Sequence, residues 1–252
     1  MRVVSLITSN KSIELVIKKT KEFSEKLNAG VTLLYVEPEP LLDIPSFDKD
    51  DKFEKTKDKI KNTLKNQNLD WAFLAYQADP VSHLLLECQR EHPLMVIVDN
   101  GICVSDILEK IEAPFYIASN QTTQKATILI QKSISLRSLP KIFKQILPDN
   151  FDCKMVYEEV FVPDSIMVDT LSASVATVEF DLENQKIKQE ELKKFCKGLN
   201  KKFEFELFSL DFELNTDSNL IVFWIRDKDF SLLSLIKEIK ADKDIFIYLE
   251  RE

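Results

Sequence analysis

The side chains able to do chemistry are few in this 252-residue chain: two histidines, four cysteines and three glycines. His83 and Cys88 stand five apart on a segment that reads as helix, roughly 140° around its axis, so they do not share a face that could hold a metal ion. Neither His83 nor His92 falls at the end of an expected strand, where an open α/β sheet places its catalytic groups, so no serine–histidine–aspartate arrangement follows. Acidic neighbours such as Glu158 with Glu159, or Glu190 with Glu191, read as solvated faces. Cys88, Cys103, Cys153 and Cys196 are widely spaced and form no CxxC motif, which predicts free thiols in a reducing compartment. Average usage near ~7% would supply roughly 18 glycines, whereas Gly30, Gly101 and Gly198 are all there are. A phosphate-cradling loop needs several glycines close together, so neither a GxGxxG loop nor a P-loop can form. These counts predict no enzyme, no cofactor and no metal.

One constellation remains. Thr8, Ser9 and Asn10 close the first expected strand, Asp99, Asn100 and Gly101 follow the fourth, and Ser105 opens the next helix. In an open α/β sheet the ligand crevice lies at the carboxyl ends of the strands where their order reverses. Three hydroxyls and a helix N-terminus at that point could hold a small anion. These seven residues are the candidate ligand-binding site.

The elements that would position them alternate. Apolar runs at 3–8, 31–36, 71–76, 94–98 and 114–118 read as strands. Helical spacing covers 13–27, capped through Gly30, and a charged helix covers 52–66 after a loop at 41–51. Asp79 with Pro80 opens a third helix, and 105–111 makes a short fourth. Near-continuous apolar strands separated by helices imply a parallel sheet covered on both faces. The plan then repeats: strands at 126–130, 154–157, 203–210, 220–225 and 244–249, with helices at 139–147, 190–197 and 232–239. An additional strand is expected at 175–180. The reading is therefore two tandem doubly wound α/β domains of strand order 3-2-1-4-5, residues 1–118 and 126–252, joined by a polar linker at 119–125. That order leaves each fifth strand at an edge, and antiparallel pairing of the two edges within the chain would close both.

The segment from Ala78-Asp79-Pro80 through the apolar helix to Pro93-Leu94-Met95-Val96-Ile97-Val98-Asp99-Asn100-Gly101 resembles the universal stress protein family, whose fourth strand reads DLIVxGxxG. Ala113-Pro114-Phe115-Tyr116-Ile117 is similar to its last strand, APxPVLVV. The resemblance covers the first half by motif and the second by element order. It implies the five-stranded doubly wound domain, and in some members an ATP site built from an Asp at the end of the first strand and a Gly-x2-Gly-x9-Gly-Ser/Thr loop. Here Thr8-Ser9-Asn10 lacks that Asp, only Gly101 stands in the loop, and Arg226-Asp227-Lys228-Asp229 replaces it in the second half. The chain thus looks like a degenerate member that does not bind ATP.

The formal net charge of −8 argues against nucleic-acid partners. No apolar run approaches the ~20 residues of a membrane span, and the N-terminus is too soon polar for a signal peptide. A cytoplasmic location follows. The lysine-rich helix interleaves acids with its lysines and reads as a solubilising face. The functional expectation is a non-enzymatic, stress-related or regulatory protein acting through protein contacts, self-association among them, with its two domains packed as an intramolecular pseudo-dimer. The alternative is a sensor of a small ligand or nucleotide at the strand-end crevice.

Overall fold

The computed structural model describes residues 1–38, 47–65, 67, 69–100, 107, 110–119, 125–131, 134, 139–147, 152–158, 187, 190–191, 194, 203–208, 218–226 and 243–250, with backbone alone at 47–50, 152–154, 156–158 and 203–208. The expected extra strand at 175–180, the helix at 232–239 and the core of the linker, 120–124, lie outside the described residues.

The strands are β1 (Arg2–Ile7), β2 (Gly30–Glu37), β3 (Trp71–Gln77), β4 (Met95–Asp99), β5 (Phe115–Ala118), β6 (Lys125–Ile130), β7 (Asp152–Glu158), β8 (Phe203–Phe208), β9 (Leu220–Ile225) and β10 (Asp244–Leu249). The helices are α1 (Ile13–Leu27), α2 (Phe47–Lys65), α3 (Pro80–Glu91) and α4 (Lys141–Ile146). All ten strands join one sheet in the order β3-β2-β1-β4-β5-β10-β9-β6-β7-β8. Each half therefore has the strand order 3-2-1-4-5. Every neighbouring pair is parallel except β5 with β10, which run antiparallel.

Successive strand residues point to opposite faces, and both faces are covered. Val3, Ile7, Val31, Leu33 and Ile97 lie under α1 and α2, and α4 continues that layer over the second half. Val4, Leu6, Val96 and Val98 lie under α3 and the segment around Ile107 and Ile111. Val96, Ile97, Val222 and Phe223 are buried, as strands covered on both sides require. Among its described side chains, helix α2 buries the stripe of Phe53, Thr56, Ile60 and Leu64.

Local chemistry shifts several expected boundaries. Helix α1 ends on Asn28, which takes the left-handed conformation (φ 49°) and returns its N–H to the carbonyls of Glu25 and Ser24. Asparagine tolerates that conformation, so Gly30 is not needed as a cap. Gly30 instead opens β2 opposite Arg2. A Cβ there would come within 3.1 Å of Asp70 Oδ2 and 3.4 Å of the Arg2 guanidinium, which pair at 3.3 Å. Helix α2 begins at 47, inside the stretch expected to be loop. Lys125, expected in the linker, already belongs to β6, and Asp99 is the last residue of β4 rather than part of a turn. Helix α3 starts as expected: the Asp79 carboxylate accepts the Ser82 N–H at 2.8 Å and Pro80 follows it.

The register relates the halves residue by residue. Met95 opens β4 opposite Val3, and Leu220 opens β9 opposite Ala126. Val96 then faces Phe115, and Ile221 faces Ile245. It follows that Thr8 corresponds to Gln131, Asp99 to Trp224, Pro114 to Asp244 and Tyr116 to Phe246. At the seam Tyr116 stands opposite Phe246, flanked by Ile117 with Ile245 and Phe115 with Ile247. The pseudo-two-fold axis thus passes between Tyr116 and its own counterpart.

Candidate functional site

The strand order reverses between β1 and β4, and their carboxyl ends bring Thr8 to Asp99. Thr8 Oγ1 donates to Asp99 Oδ1 at 3.5 Å, and the Asp99 side chain is buried. Asn10 and Asn100 are exposed beside them and Ser9 is half-buried. Ser9 is engaged in its own turn: its hydroxyl accepts the Lys11 N–H at 3.1 Å, and its carbonyl accepts the Ser12 hydroxyl at 2.9 Å. Gly101 and Ser105 lie outside the described residues. The structure therefore joins Thr8 and Asp99 directly and leaves Asn10 and Asn100 at the rim. A buried carboxylate at this point accepts hydrogen bonds and repels phosphate, so its chemistry favours a hydroxyl or amine donor over an anion.

The second half fills the same position differently. Trp224 replaces the carboxylate and is fully buried, with Phe143 edge-on to it at 5.5 Å. Gln131 Oε1 accepts the backbone N–H of Arg226 at 2.7 Å, which ties the ends of β6 and β9 together. The Arg226 guanidinium turns to Glu250 at 3.2 Å.

Sequence reasoning missed a buried charged cluster among the described residues. Asp244, the first residue of β10, is completely buried. Its Oδ2 receives Lys19 Nζ and the Tyr116 hydroxyl, each at 2.7 Å, and its Oδ1 accepts the Ser119 backbone N–H. Lys19 lies 3.4 Å from the Tyr116 hydroxyl and is itself only 8% exposed. A signal existed: Lys19 interrupts the apolar stripe of α1 three residues after Val16 and four before Phe23. What the sequence could not supply is the partner, 225 positions away.

Other groups singled out by type have structural partners. His83 stacks on Tyr76 with ring centroids 4.4 Å apart. Burial, reinforced by the charge of Glu87, pushes the Cys88 thiol up to about 12, so it is protonated and unreactive at neutral pH. Burial likewise raises Tyr35, which stacks on Phe53. Among the described residues no group of three or more His, Cys, Asp or Glu could hold a metal ion, and no helix is long and apolar enough to cross a membrane.

No family model matches the chain, and no curated protein matches it. Solved structures do. A putative universal stress protein from Pseudomonas aeruginosa UCBPP-PA14 superposes with a TM-score of 0.59 at 11% identity, over 98% of this chain and 92% of that one. A universal stress protein from Archaeoglobus fulgidus DSM 4304 gives 0.54 at 11% identity, over 99% and 97%. The fold is that of the universal stress proteins. The cytoplasmic domain of a prokaryotic cation chloride cotransporter shares it, with a TM-score of 0.54 at 8% identity over 99% and 95% of the two chains. At such identities the likeness concerns architecture, and the chemistry must be argued from the site.

Proposed function

We propose that this universal-stress-protein-like chain is a non-enzymatic, stress-related or regulatory factor that acts through protein contacts and does not bind ATP. The observation that carries this reading is the occupancy of both switch points by the chain's own side chains. In the first half a buried Asp99, held to Thr8, stands at the crevice where a nucleotide's phosphates would have to be neutralised. In the second half Trp224 occupies the corresponding place. Calorimetric titration of the purified chain with ATP should give no heat of binding, and micromolar affinity would overturn the proposal.

A second reading, a small-ligand sensor, is favoured by one feature. Thr8 and Asp99 meet at the ends of β1 and β4, close in sequence to the exposed Asn10 and Asn100, a set of polar groups able to grip a neutral or cationic molecule through hydroxyl or amine groups. Native mass spectrometry of freshly purified protein separates the two readings: a copurified small molecule lost in Asp99→Ala supports the sensor, and a bare chain mass supports the contact protein.

A further inference from the structure

We infer that Lys19 and Asp244 form a pairing code at the β5–β10 seam, which admits the second half of the same chain as partner of the first and rejects a second copy of either half. The pseudo-symmetry exposes the code. Tyr116 and Phe246 correspond and face one another, and the flanking pairs are apolar on both sides. By shape alone, two β5 edges from different chains could therefore pair as β5 and β10 do. The exception is Asp244, whose counterpart in the first half is Pro114.

Two donors from the first half and one from the residue that follows β5 converge on that carboxylate: Lys19 Nζ, the Tyr116 hydroxyl and the Ser119 N–H. If β5 paired with β5 of a second copy about the same axis, each Lys19 would meet the other copy's Pro114. Proline offers no acceptor in its side chain and no backbone N–H. Two ammonium groups would be buried without a counter-ion, each left with only its Tyr116 hydroxyl, instead of one being paired, and removing the partner of a buried charge is far costlier than lacking the pair altogether. The reverse error, β10 with β10, would bury two Asp244 carboxylates. Across the axis from the ion pair the layer is aromatic, with Phe143 against Trp224, Phe246 and Tyr248, and the α4 lysines Lys141 and Lys144 are exposed. Like-with-like pairing is therefore penalised on both sides of the seam, and only the unlike pair satisfies every charge.

The test uses the full chain in four forms, wild type, Lys19→Met, Asp244→Leu and the double variant, each refolded at low and high concentration and sized by light scattering. In Lys19→Met the correct seam leaves the Asp244 carboxylate without its counter-cation, held only by the Tyr116 hydroxyl and the Ser119 N–H, while β5-with-β5 pairing no longer buries an ammonium. Two-chain species at high concentration should rise at least about tenfold over wild type, equivalent to about 1.4 kcal/mol. Hydrogen exchange should show β10 amides exposed in those species and β5 amides protected. Asp244→Leu should do the reverse, with β10 protected and β5 exposed. The double variant has no bare charge in either arrangement and should fall between the singles and wild type. Single variants that lose stability but remain single chains, with β5 and β10 equally deprotected, would reduce the pair to a simple stabiliser and overturn the code. So would a wild-type dimer held through β5.

Discussion

The residues that decide this molecule's behaviour are polar groups placed where their charge is either held or hidden. Asp79 is held. The Ser82 hydroxyl, then its backbone N–H, keep the Asp79 carboxyl below the usual carboxylate range. A folded value below the unfolded one means the contribution to stability is full above the ordinary value near ~3.9 and fades as the pH falls through the lowered value. Asp79→Ala should cost about 1 kcal/mol at neutral pH through loss of the helix cap. Urea melts at neutral and at acid pH check this, because the difference between variant and wild type should narrow as the pH falls and the carboxylate is protonated. Cys88 is hidden. With its thiol raised to about 12 by burial and by Glu87, brief alkylation of the native protein at neutral pH should leave Cys88 unlabelled, with complete labelling after unfolding. Peptide mapping that finds Cys88 labelled in the native state would contradict its placement on the face of α3 packed against the sheet.

At the scale of elements, burial on both faces predicts steep costs for charge in the central strands. Val96 lies in β4 between β1 and β5, with no exposed surface. Val96→Asp should lower stability by about 3–5 kcal/mol, the cost of an unpaired buried charge, as read from the denaturant midpoint. These strands were also the most legible part of the sequence, because an apolar run bounded by proline, glycine or charge has few other readings. Strands β9 and β10 match the expected spans 220–225 and 244–249 residue for residue. Legibility failed where a polar residue took an unusual role. Asn28 and His92 both adopt left-handed backbone to end helices, a choice open to several residue types, so the glycine two places beyond Asn28 misled. Of the candidate site, the meeting of Thr8 and Asp99 was legible in outline, because strand ends follow from the apolar runs and place the two side by side. That Asp99 continues β4 and is buried was not, since aspartate is depleted in strands and its burial depends on packing from elsewhere.

For the molecule as a whole, the seam makes one sheet of two halves. The centre of that sheet should open last: amides of β4, β5, β10 and β9 should exchange with solvent only on global unfolding, whereas the edge strand β3, whose residues are half-buried, should exchange through local fraying. Native-state hydrogen exchange under mild denaturant measures the order directly. Protection greater in β3 than in β5 would show that the halves part before they unfold. The Lys19–Asp244 contact explains why the sequence could anticipate the antiparallel seam and not its selectivity. The two seam strands announce themselves as apolar runs, but Lys19 on α1 and Asp244 at the start of β10 acquire meaning only once the fold has brought them together.

The antiparallel sense of β5 and β10 has a consequence for access. Strands of the first half carry their carboxyl ends toward one rim of the sheet, and strands of the second half carry theirs toward the opposite rim. The Thr8–Asp99 end and the Gln131–Arg226 end are therefore two poles facing away from each other. A body docked at one pole leaves the other open, and no single small molecule can touch both. The chain has the geometry of a two-ended link, in which each end can diverge, be filled or be lost without steric consequence for its twin.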